Sequence, residues 1–201
     1  MSVGKAGYGS VVRLTARARP LRCSINPDII HGDAYKMRRV NRETNVVVIG
    51  AGTAGMEAAC TAAEVGCHTW LLEAKNHVGG LASEISRLPE KKRIADFPQF
   101  MKNRIASLDN LMLHVGKRAD VASVSALRPH LIVNATGSTP LLPPIEGLRE
   151  NIDVENGKIF SITGMIDNLA KFTDIKGKRI AVVGAGAVGL DVIEYFTARG
   201  A

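Results

Sequence analysis

The sequence predicts an α/β protein in which a parallel β-sheet is flanked by helices. Three observations support this fold class. A run of β-branched residues at 46–49 leads into a glycine-rich turn and then into an alanine-rich helical pattern at 56–65. A second apolar strand pattern follows at 68–72. The order of strand, glycine turn and helix then recurs at 180–199.

The first strand-turn-helix unit has short connections throughout. A continuous apolar run such as Val46–Ile49 is typical of a strand buried on both faces of a parallel sheet. The helix predicted over Met56–Val65 ends at Gly66, because glycine readily adopts the left-handed conformation that terminates helices. The strand His68–Leu72 ends at Glu73, so we expect a right-handed crossover between two parallel strands.

Further elements are predicted between the two glycine turns. Residues 76–81 are expected to form a loop, and a helix over Lys91–Ser107 is expected to kink or end its first part at Pro98. Two more strands and a short helix complete the prediction: Leu111–Val115, Leu131–Ala135 and Met165–Phe172.

The chain contains an internal repeat with an offset of 134 residues. Four glycines of the first unit fall on four glycines of the second, and Glu57 falls on Asp191. Ile180–Val183 is the expected strand of the second unit, and its helix is expected over Leu190–Arg199. The equivalent glycines are Gly50 and Gly184, Gly52 and Gly186, Gly55 and Gly189, and Gly66 and Gly200.

Composition restricts the class of protein. The chain has 201 residues, enough for one domain, or one domain and part of another. Of the net charge of +7, residues 1–40 contribute +6 through 8 basic and 2 acidic residues, so the remainder carries 18 basic and 17 acidic residues and lacks the basic surface of a nucleic-acid-binding domain. The longest stretch without a formal charge, 129–145, is interrupted by Pro140, Pro143 and Pro144 and is shorter than the roughly 20 residues of a membrane span. The basic leading segment is either poorly ordered or an organellar transit peptide.

The three cysteines form no CxxC pair, which favours a reducing compartment, and we expect a cytoplasmic protein. Cys60 and Cys67 are expected to be core thiols. The basic cluster at 87–93 is expected to be a solvated helix start rather than a phosphate contact, and no catalytic residue is predicted.

Each glycine turn lies where a dinucleotide-binding turn requires it, after a buried strand and before a helix. The first glycine permits the tight turn, the second lets a pyrophosphate approach the backbone, and the third lets helix and strand pack closely. The free N–H groups at the helix N-terminus then face the phosphates. The sequence therefore predicts a Rossmann-like fold with one dinucleotide site and the start of a second nucleotide-binding domain.

Glu73 lies 23 residues after Gly50, at the end of the second predicted strand. An acid at about this spacing accepts hydrogen bonds from the adenosine ribose of a bound dinucleotide. Two such units in one chain suit a flavin reductase, with FAD in the first site and NAD(P)H in the second.

Several motifs together resemble one family of flavoenzymes. They are Arg22–Pro27, VVVIGAGTAGMEAA at 46–59, LLEAKNHVGGLAS at 71–83, NATGSTPLLPPIEG at 134–147 and GKRIAVVGAGAVGLDVIEY at 177–195. The chain resembles the C-terminal FAD/NAD(P)-binding module of old-yellow-enzyme-like NADH:flavin oxidoreductases, which include 2,4-dienoyl-CoA reductase, NADH oxidases and trimethylamine dehydrogenase. The resemblance implies that hydride passes from NAD(P)H to FAD, and that electrons continue through a four-iron four-sulfur cluster to FMN in a barrel domain, where an enoate, dienoyl or other acceptor is reduced.

The resemblance assigns cofactor-binding residues. FAD contacts fall on Gly50, Gly52, Thr53, Ala54, Gly55, Glu73, Gly80, Leu81, Ala119, Thr136 and Gly137. NAD(P)H contacts fall on Gly184, Gly186, Ala187, Val188 and Gly189. Cys23 matches the last cysteine ligand of the iron–sulfur cluster.

The chain departs from the family at several positions. No other cysteine occurs in residues 1–22, and one thiolate cannot hold a cubane cluster that needs four ligands. Leu81 replaces a common glutamine, and His130 stands where an aspartate is usual. We therefore expect a fragment that needs a barrel as a further domain or separate subunit. Its parts are a basic leading segment at 1–40 with a remnant of the cluster-ligand region, an FAD-binding domain at 41–150, a connector at 151–176 and a truncated NAD(P)-binding domain at 177–201.

The sequence thus predicts the FAD-binding module of an NAD(P)H-dependent flavin oxidoreductase, weakly active or inactive by itself. Two alternatives remain open at this point. The chain is a non-catalytic module that binds an adenine nucleotide such as ADP, or it is an inactive gene fragment. For the flavin oxidoreductase module, dinucleotide cofactors are the expected ligands, without nucleic-acid or membrane partners.

Overall fold

Four parallel strands form the sheet, in the order β3-β2-β1-β4. The computed structural model describes Asp33 and residues 36–201. Along the central pair Val46 lies opposite Thr69, and on the other side of β1 Val46 lies opposite Leu131. The strands are β1 Asn45–Ile49, β2 His68–Leu72, β3 Leu111–His114 and β4 Leu131–Asn134.

Seven α-helices and two 3₁₀ helices occur in the described part of the chain. The α-helices are α1 Thr53–Glu64, α2 Gly80–Ile85, α3 Asp96–Ala106, α4 Val121–Ala126, α5 Leu148–Asn151, α6 Ile162–Asp167 and α7 Ala187–Thr197. The 3₁₀ helices are Pro89–Ala95 and Leu169–Phe172.

Alternate residues of the strands pack against different helices. Val46, Val48 and Leu71 lie in one buried cluster with Met56 of α1 and Met101 of α3. Side chains that point to opposite faces of a strand belong to different clusters, because successive residues alternate sides. The second cluster accordingly contains Val47, Leu72 and Val124, so α4 covers the other face.

The predicted parallel sheet flanked by helices is confirmed. The second strand has the predicted bounds, and the first begins one residue before the predicted run, at Asn45. The predicted helix at 91–107 is two elements, a 3₁₀ helix and α3, and Pro98 lies in the first turn of α3, where its missing N–H is tolerated. Gly80 and Leu81, expected in a loop, begin the short helix α2.

The strand predicted over Ile180–Val183 is wrong. These residues are in no strand, and Val183 is 82% exposed. A β-strand needs a neighbour to accept its hydrogen bonds, and no described residue pairs with this segment. The helix of the second unit does form, as α7, although it begins at Ala187 rather than Leu190.

Residues Asn41–Ala201 form one compact unit, and Met1–Val40 are assigned to another. Cys23 and the Arg22–Pro27 motif lie outside the described residues. No helix in the described part combines the length and apolar character that crossing a lipid bilayer requires.

Candidate functional site

The turn between β1 and α1 is too tightly packed for side chains at two of its glycines. Gly50 has φ +99°, and a Cβ there would collide with the carbonyl oxygen of Ala135, at the end of β4. A Cβ on Gly55 would collide with the carbonyl oxygen of Gly50. Both glycines are therefore needed so that β1, α1 and the chain after β4 can meet at this point.

The middle glycine of the turn faces another bare backbone. A Cβ on Gly52 would lie 4.0 Å from the Cα of Gly80, and a Cβ on Gly80 would lie 2.9 Å from the Cα of Gly52. The N–H of Gly79 donates to the carbonyl oxygen of Ala51 at 2.8 Å, which ties the two segments together. Gly52 and Gly80 thus line a cradle without side chains, which a Cβ at either position would narrow.

The cradle includes the N-terminus of a 12-residue helix. Gly52 caps α1 without a side-chain hydrogen bond, and the first turn carries no acidic residue. Within the described chain, the N–H groups of Thr53, Ala54 and Gly55 donate to no protein acceptor, as expected for the first turn of a helix. Free N–H groups and the positive end of the helix dipole together favour an anion such as a phosphate.

Glu73 lies beside this turn. One carboxylate oxygen accepts a hydrogen bond from the N–H of Ala51 at 2.7 Å, and the other accepts from the N–H of Lys75 at 2.8 Å. Each oxygen keeps further acceptor capacity. The carboxylate can therefore accept hydrogen bonds from hydroxyl groups next to a bound phosphate.

Thr136 and Gly137 follow β4 at the same edge of the sheet. Asn134 fixes this segment, since its side-chain oxygen accepts from the N–H of Thr136 at 3.2 Å and from its hydroxyl at 2.9 Å. The Cα of Thr136 would lie 3.1 Å from a Cβ on Gly50. The structure therefore brings Thr136 next to the first glycine turn.

Ala119 lines a small pocket of about 100 Å³ where β2 and β3 end. Leu72, which precedes Glu73, and Lys117 line the same pocket. The N–H of Lys117 donates to the carbonyl oxygen of Glu73 at 3.1 Å, so the pocket adjoins the glutamate. The predicted adenine contact and the predicted ribose contact are thus neighbours.

The second glycine turn repeats the local geometry of the first. Gly186 caps α7 with φ −76° and ψ −179°, and Gly52 caps α1 with φ −72° and ψ −174°. A Cβ on Gly189 would collide with the carbonyl oxygen of Gly184, as Gly55 would with Gly50. A Cβ on Gly184 would meet nothing within 4 Å, so this turn, with Ala187 and Val188 in its first helical turn, faces open space.

Two residues of the first site, Gly79 and Asn134, are not among the cofactor contacts predicted from the sequence. Gly79 has φ +109° and caps α2, and a signal for it existed in the paired glycines at 79–80. Asn134 shows a weaker signal, an asparagine two residues before a turn. Leu81, which the resemblance places along the flavin, is 56% exposed.

Two basic side chains flank Glu84, in the short helix α2 that follows the cradle. Glu84 is held between Lys75 at 2.8 Å and Arg87 at 3.2 Å, and the Lys75 hydrogen bond is the main cause that lowers the pKa of Glu84. Burial raises the pKa of the Cys60 thiol to about 11 and also raises that of Cys67. Both cysteines therefore stay protonated in the core, as the sequence predicts.

Two sequence profiles match the chain. The FAD dependent oxidoreductase profile matches residues 45–110. The pyridine nucleotide-disulphide oxidoreductase profile matches residues 100–201, which is half of the chain. The chain belongs to the pyridine nucleotide-disulphide oxidoreductase family. The expected FAD/NAD(P)-binding oxidoreductase fold is thereby confirmed at the level of the family.

The curated relatives of this chain are much longer than the chain itself. NADH oxidase of Thermoanaerobacter brockii is 32% identical over 90% of this chain and 27% of its own length. N,N-dimethylglycine/sarcosine dehydrogenase of Chromohalobacter salexigens is 30% identical over 78% of this chain and 22% of its own length. Bilirubin reductase of Mediterraneibacter gnavus is 27% identical over 90% of this chain and 26% of its own length. The chain thus spans about a quarter of the length of these curated relatives.

Solved structures share the fold. A complex of 2-naphthoyl-CoA reductase superposes with a TM-score of 0.70 at 22% identity, over 88% of this chain and 26% of that one. Histamine dehydrogenase from Rhizobium sp. 4-9 superposes with a TM-score of 0.56 at 23% identity, over 62% of this chain and 19% of that one.

Proposed function

We propose that the chain is the FAD-binding module of an NAD(P)H-dependent flavin oxidoreductase. In the full-length enzyme, hydride would pass from NAD(P)H to FAD and onward to an enoate, a dienoyl compound or another acceptor. The observation that carries this proposal is the side-chain-free cradle of Gly52 and Gly80 beside the Glu73 carboxylate. The absence of side chains at Gly52 and Gly80 and the free N–H groups at the start of α1 support a pyrophosphate as the ligand.

Different residues of the first site would contact different parts of the dinucleotide. The backbone of Gly50, Gly52, Thr53, Ala54 and Gly55 would bind the pyrophosphate, with Gly80 opposite. Glu73 would accept hydrogen bonds from the adenosine ribose, and Ala119 would offer its backbone to the adenine. Leu81, Thr136 and Gly137 would lie toward the flavin. When bound, FAD supplies the hydride chemistry, while these residues hold it and orient it.

The second turn would bind the pyrophosphate of NAD(P)H. Gly184, Gly186 and Gly189 repeat the geometry of the first turn, and the first-turn residues Ala187 and Val188 provide N–H groups. The proposed division into a leading segment at 1–40, an FAD domain at 41–150, a connector at 151–176 and an NAD(P) domain at 177–201 follows from this assignment.

The resemblance also implies a four-iron four-sulfur cluster and FMN, which we propose only for the full-length protein. Cys60 and Cys67 are buried in the hydrophobic core, and among the residues that the structure describes no three metal-ligating side chains converge. These residues do not fit a four-iron four-sulfur cluster, and only Cys23 outside them matches a ligand. We therefore assign the cluster and FMN to a barrel domain or partner subunit. Because the three cysteines form no CxxC pair, we assign the working compartment to the cytoplasm.

A non-catalytic module that binds ADP is the second candidate. The adenosine half of the site has a pocket, since the concave surface at Ala119 adjoins Glu73. The flavin half is open, since a Cβ on Gly137 would meet nothing within 4 Å and Leu81 is exposed. If the open flavin half adds no contacts, ADP would bind as tightly as FAD, and the chain would be a binding module.

Flavin uptake and dye reduction test the proposal. We expect the purified chain to quench FAD fluorescence, and NADH to reduce a dye slowly and only when FAD is present. Glu73→Gln should weaken FAD binding about tenfold, because an amide accepts hydrogen bonds at one oxygen only. The exposed Glu155→Gln provides the matched control and should bind FAD normally. Absence of both flavin uptake and dye reduction would rule out the enzyme.

A further inference from the structure

A five-residue segment, Arg87–Lys91, connects the first glycine site to the helix of the second. We call this segment the clasp. Three of its charged side chains form ion pairs with residues that follow it by 80 to 109 positions in sequence. None of these residues belongs to the proposed cofactor contacts.

Along the clasp, the side chains that form ion pairs are in turn positive, negative and positive. Arg87 pairs with Asp167 of α6 at 2.7 Å, Glu90 pairs with Arg199 at 3.0 Å, and Lys91 pairs with Asp191 of α7 at 2.7 Å. If the clasp shifted by one residue along its partners, Lys91 would take the place of Glu90 beside Arg199, and two positive charges would meet. The alternating charges therefore favour one alignment of the clasp.

The three ion pairs differ in their exposure to solvent. Arg87 and Asp167 are 44% and 65% exposed, so their pair should contribute little. Lys91 and Asp191 are 30% and 43% exposed, and Arg199 and Glu90 are 25% and 32% exposed. The two pairs that involve α7 or the turn after it are therefore the stronger contacts.

An apolar contact lies between the ion pairs. Leu88 of the clasp is buried in one cluster with Ile166 of α6 and with Tyr195 and Phe196 of α7. Arg199 stacks over the ring of Tyr195, 3.6 Å from its centroid, and also donates to the Tyr195 carbonyl oxygen at 2.7 Å. The partner of Glu90 is thus itself fixed against α7.

The clasp is also close in sequence to the first site. Gly80, which faces Gly52, is the first residue of α2, and the clasp begins two residues after α2 ends at Ile85. Asp191 lies in the second turn of α7, directly after the glycine turn at 184–189. A short, continuous path of backbone and packed side chains therefore joins the two glycine turns.

We propose that Glu90 and Lys91 of the clasp are positioning residues, which hold α7 so that the second glycine turn keeps a fixed orientation relative to the first. This inference rests on the proposed function, since its purpose is to align two dinucleotides. Hydride transfer requires reacting atoms about 3–3.5 Å apart, and a displacement of 1 Å can cost about 100-fold in rate. A fixed orientation of the two turns would meet that requirement.

Charge reversal with rescue tests the clasp. We expect Lys91→Glu and Asp191→Lys each to raise amide hydrogen exchange across α7 about tenfold or more, and the double variant to restore protection. Exchange in α1 should stay unchanged throughout. Lys92→Glu is the matched control, because Lys92 is exposed and has no ion pair within the described part of the chain. Equal exchange of α7 in all variants would overturn the clasp.

A second readout distinguishes positioning from simple stabilisation. With FAD bound, the limiting rate of flavin reduction by NADH should fall about tenfold or more in each single variant and recover in the double variant. The FAD affinity should not change in any of them. Single variants that reduce flavin at the wild-type rate would overturn the positioning role. A wild-type chain that binds no FAD would contradict the proposed function instead, and the exchange experiment would still decide whether the clasp holds α7.

Discussion

The three glycines of the first turn are required for different reasons. Gly50 and Gly55 are in contact with backbone, so side chains there conflict with the fold. Gly52 has an ordinary φ of −72°, and the nearest atom to an added Cβ is 4.0 Å away. Only Gly52 is therefore free of a structural requirement, and its lack of a side chain points to a ligand.

Alanine at these positions should separate folding from binding. Gly52→Ala should change the free energy of unfolding by less than about 1 kcal/mol, because the entropy that alanine removes from the unfolded chain offsets its poorer fit as the N-cap of α1. The same change should weaken FAD binding about tenfold or more, since the methyl group would narrow the cradle. Gly55→Ala should instead destabilise the protein by about 1–3 kcal/mol. Thermal melts and FAD titrations measure both effects, and normal FAD binding by Gly52→Ala would refute the cradle.

At the level of elements, Arg104 fastens α3 to α1. Its guanidinium donates to both carboxylate oxygens of Glu64 at 2.6 and 2.7 Å, and to Glu57 at 2.7 Å. The Arg104 hydrogen bond is the main cause that lowers the pKa of Glu64, and the same contacts raise the pKa of Arg104. Bidentate pairs that are partly shielded from solvent are stronger than isolated surface pairs.

Loss of this guanidinium should reduce stability in a pH-dependent way. Arg104→Ala should lower the free energy of unfolding by about 1–3 kcal/mol near neutral pH. A carboxylate whose pKa is lowered by folding contributes stability above its unfolded pKa, near 4.5 for Glu64, and loses it as the pH falls through the folded value. Denaturant unfolding curves of wild type and variant should therefore converge below that range. Arg93→Ala, at an exposed arginine of the 3₁₀ helix before α3, should show no such effect. A constant difference between wild type and Arg104→Ala at all pH values would contradict the role of Glu64.

The two repeated units differ in their strands, although their sequences are similar. Val46–Ile49 has a parallel neighbour on each side, whereas Ile180–Val183 has none in the described part of the chain. Amide hydrogen exchange should therefore be slow at Val46–Val48 and fast at Ala181–Val183. Slow exchange at the second segment would show that it has found a neighbour, such as a second copy of the chain.

At the scale of the whole molecule, local patterns predicted only part of what is seen. The apolar run at Val46–Ile49 and the glycine turn after it specify their own conformation, so the first unit was predictable. The unpaired state of Ile180–Val183 depends on whether another strand lies beside it, which periodicity cannot report. The pairing of Lys91 with Asp191 joins residues 100 positions apart, so their charges were visible in the sequence but their partnership was not.

The site was predictable to a similar degree. Gly52 and Glu73 follow from spacing, because the fingerprint places them at the carboxyl edge of adjacent strands. Gly79 acts through a backbone hydrogen bond to Ala51, and Asn134 acts through its side-chain oxygen, which accepts from Thr136 two residues later. The Gly79 contact exists only after the turn that follows β1 meets the start of α2, so spacing alone did not identify it. The Asn134 contact is local, but a single asparagine before a turn is too common a pattern to mark a site.

Calorimetric titration of the chain with FAD, and separately with ADP, tests most directly whether the cradle binds a complete flavin dinucleotide. FAD should bind at least about tenfold more tightly than ADP, because Leu81, Thr136 and Gly137 would add contacts beyond the adenosine half. Equal affinities for FAD and ADP would support the non-catalytic module, and no heat with either ligand would contradict the dinucleotide site itself.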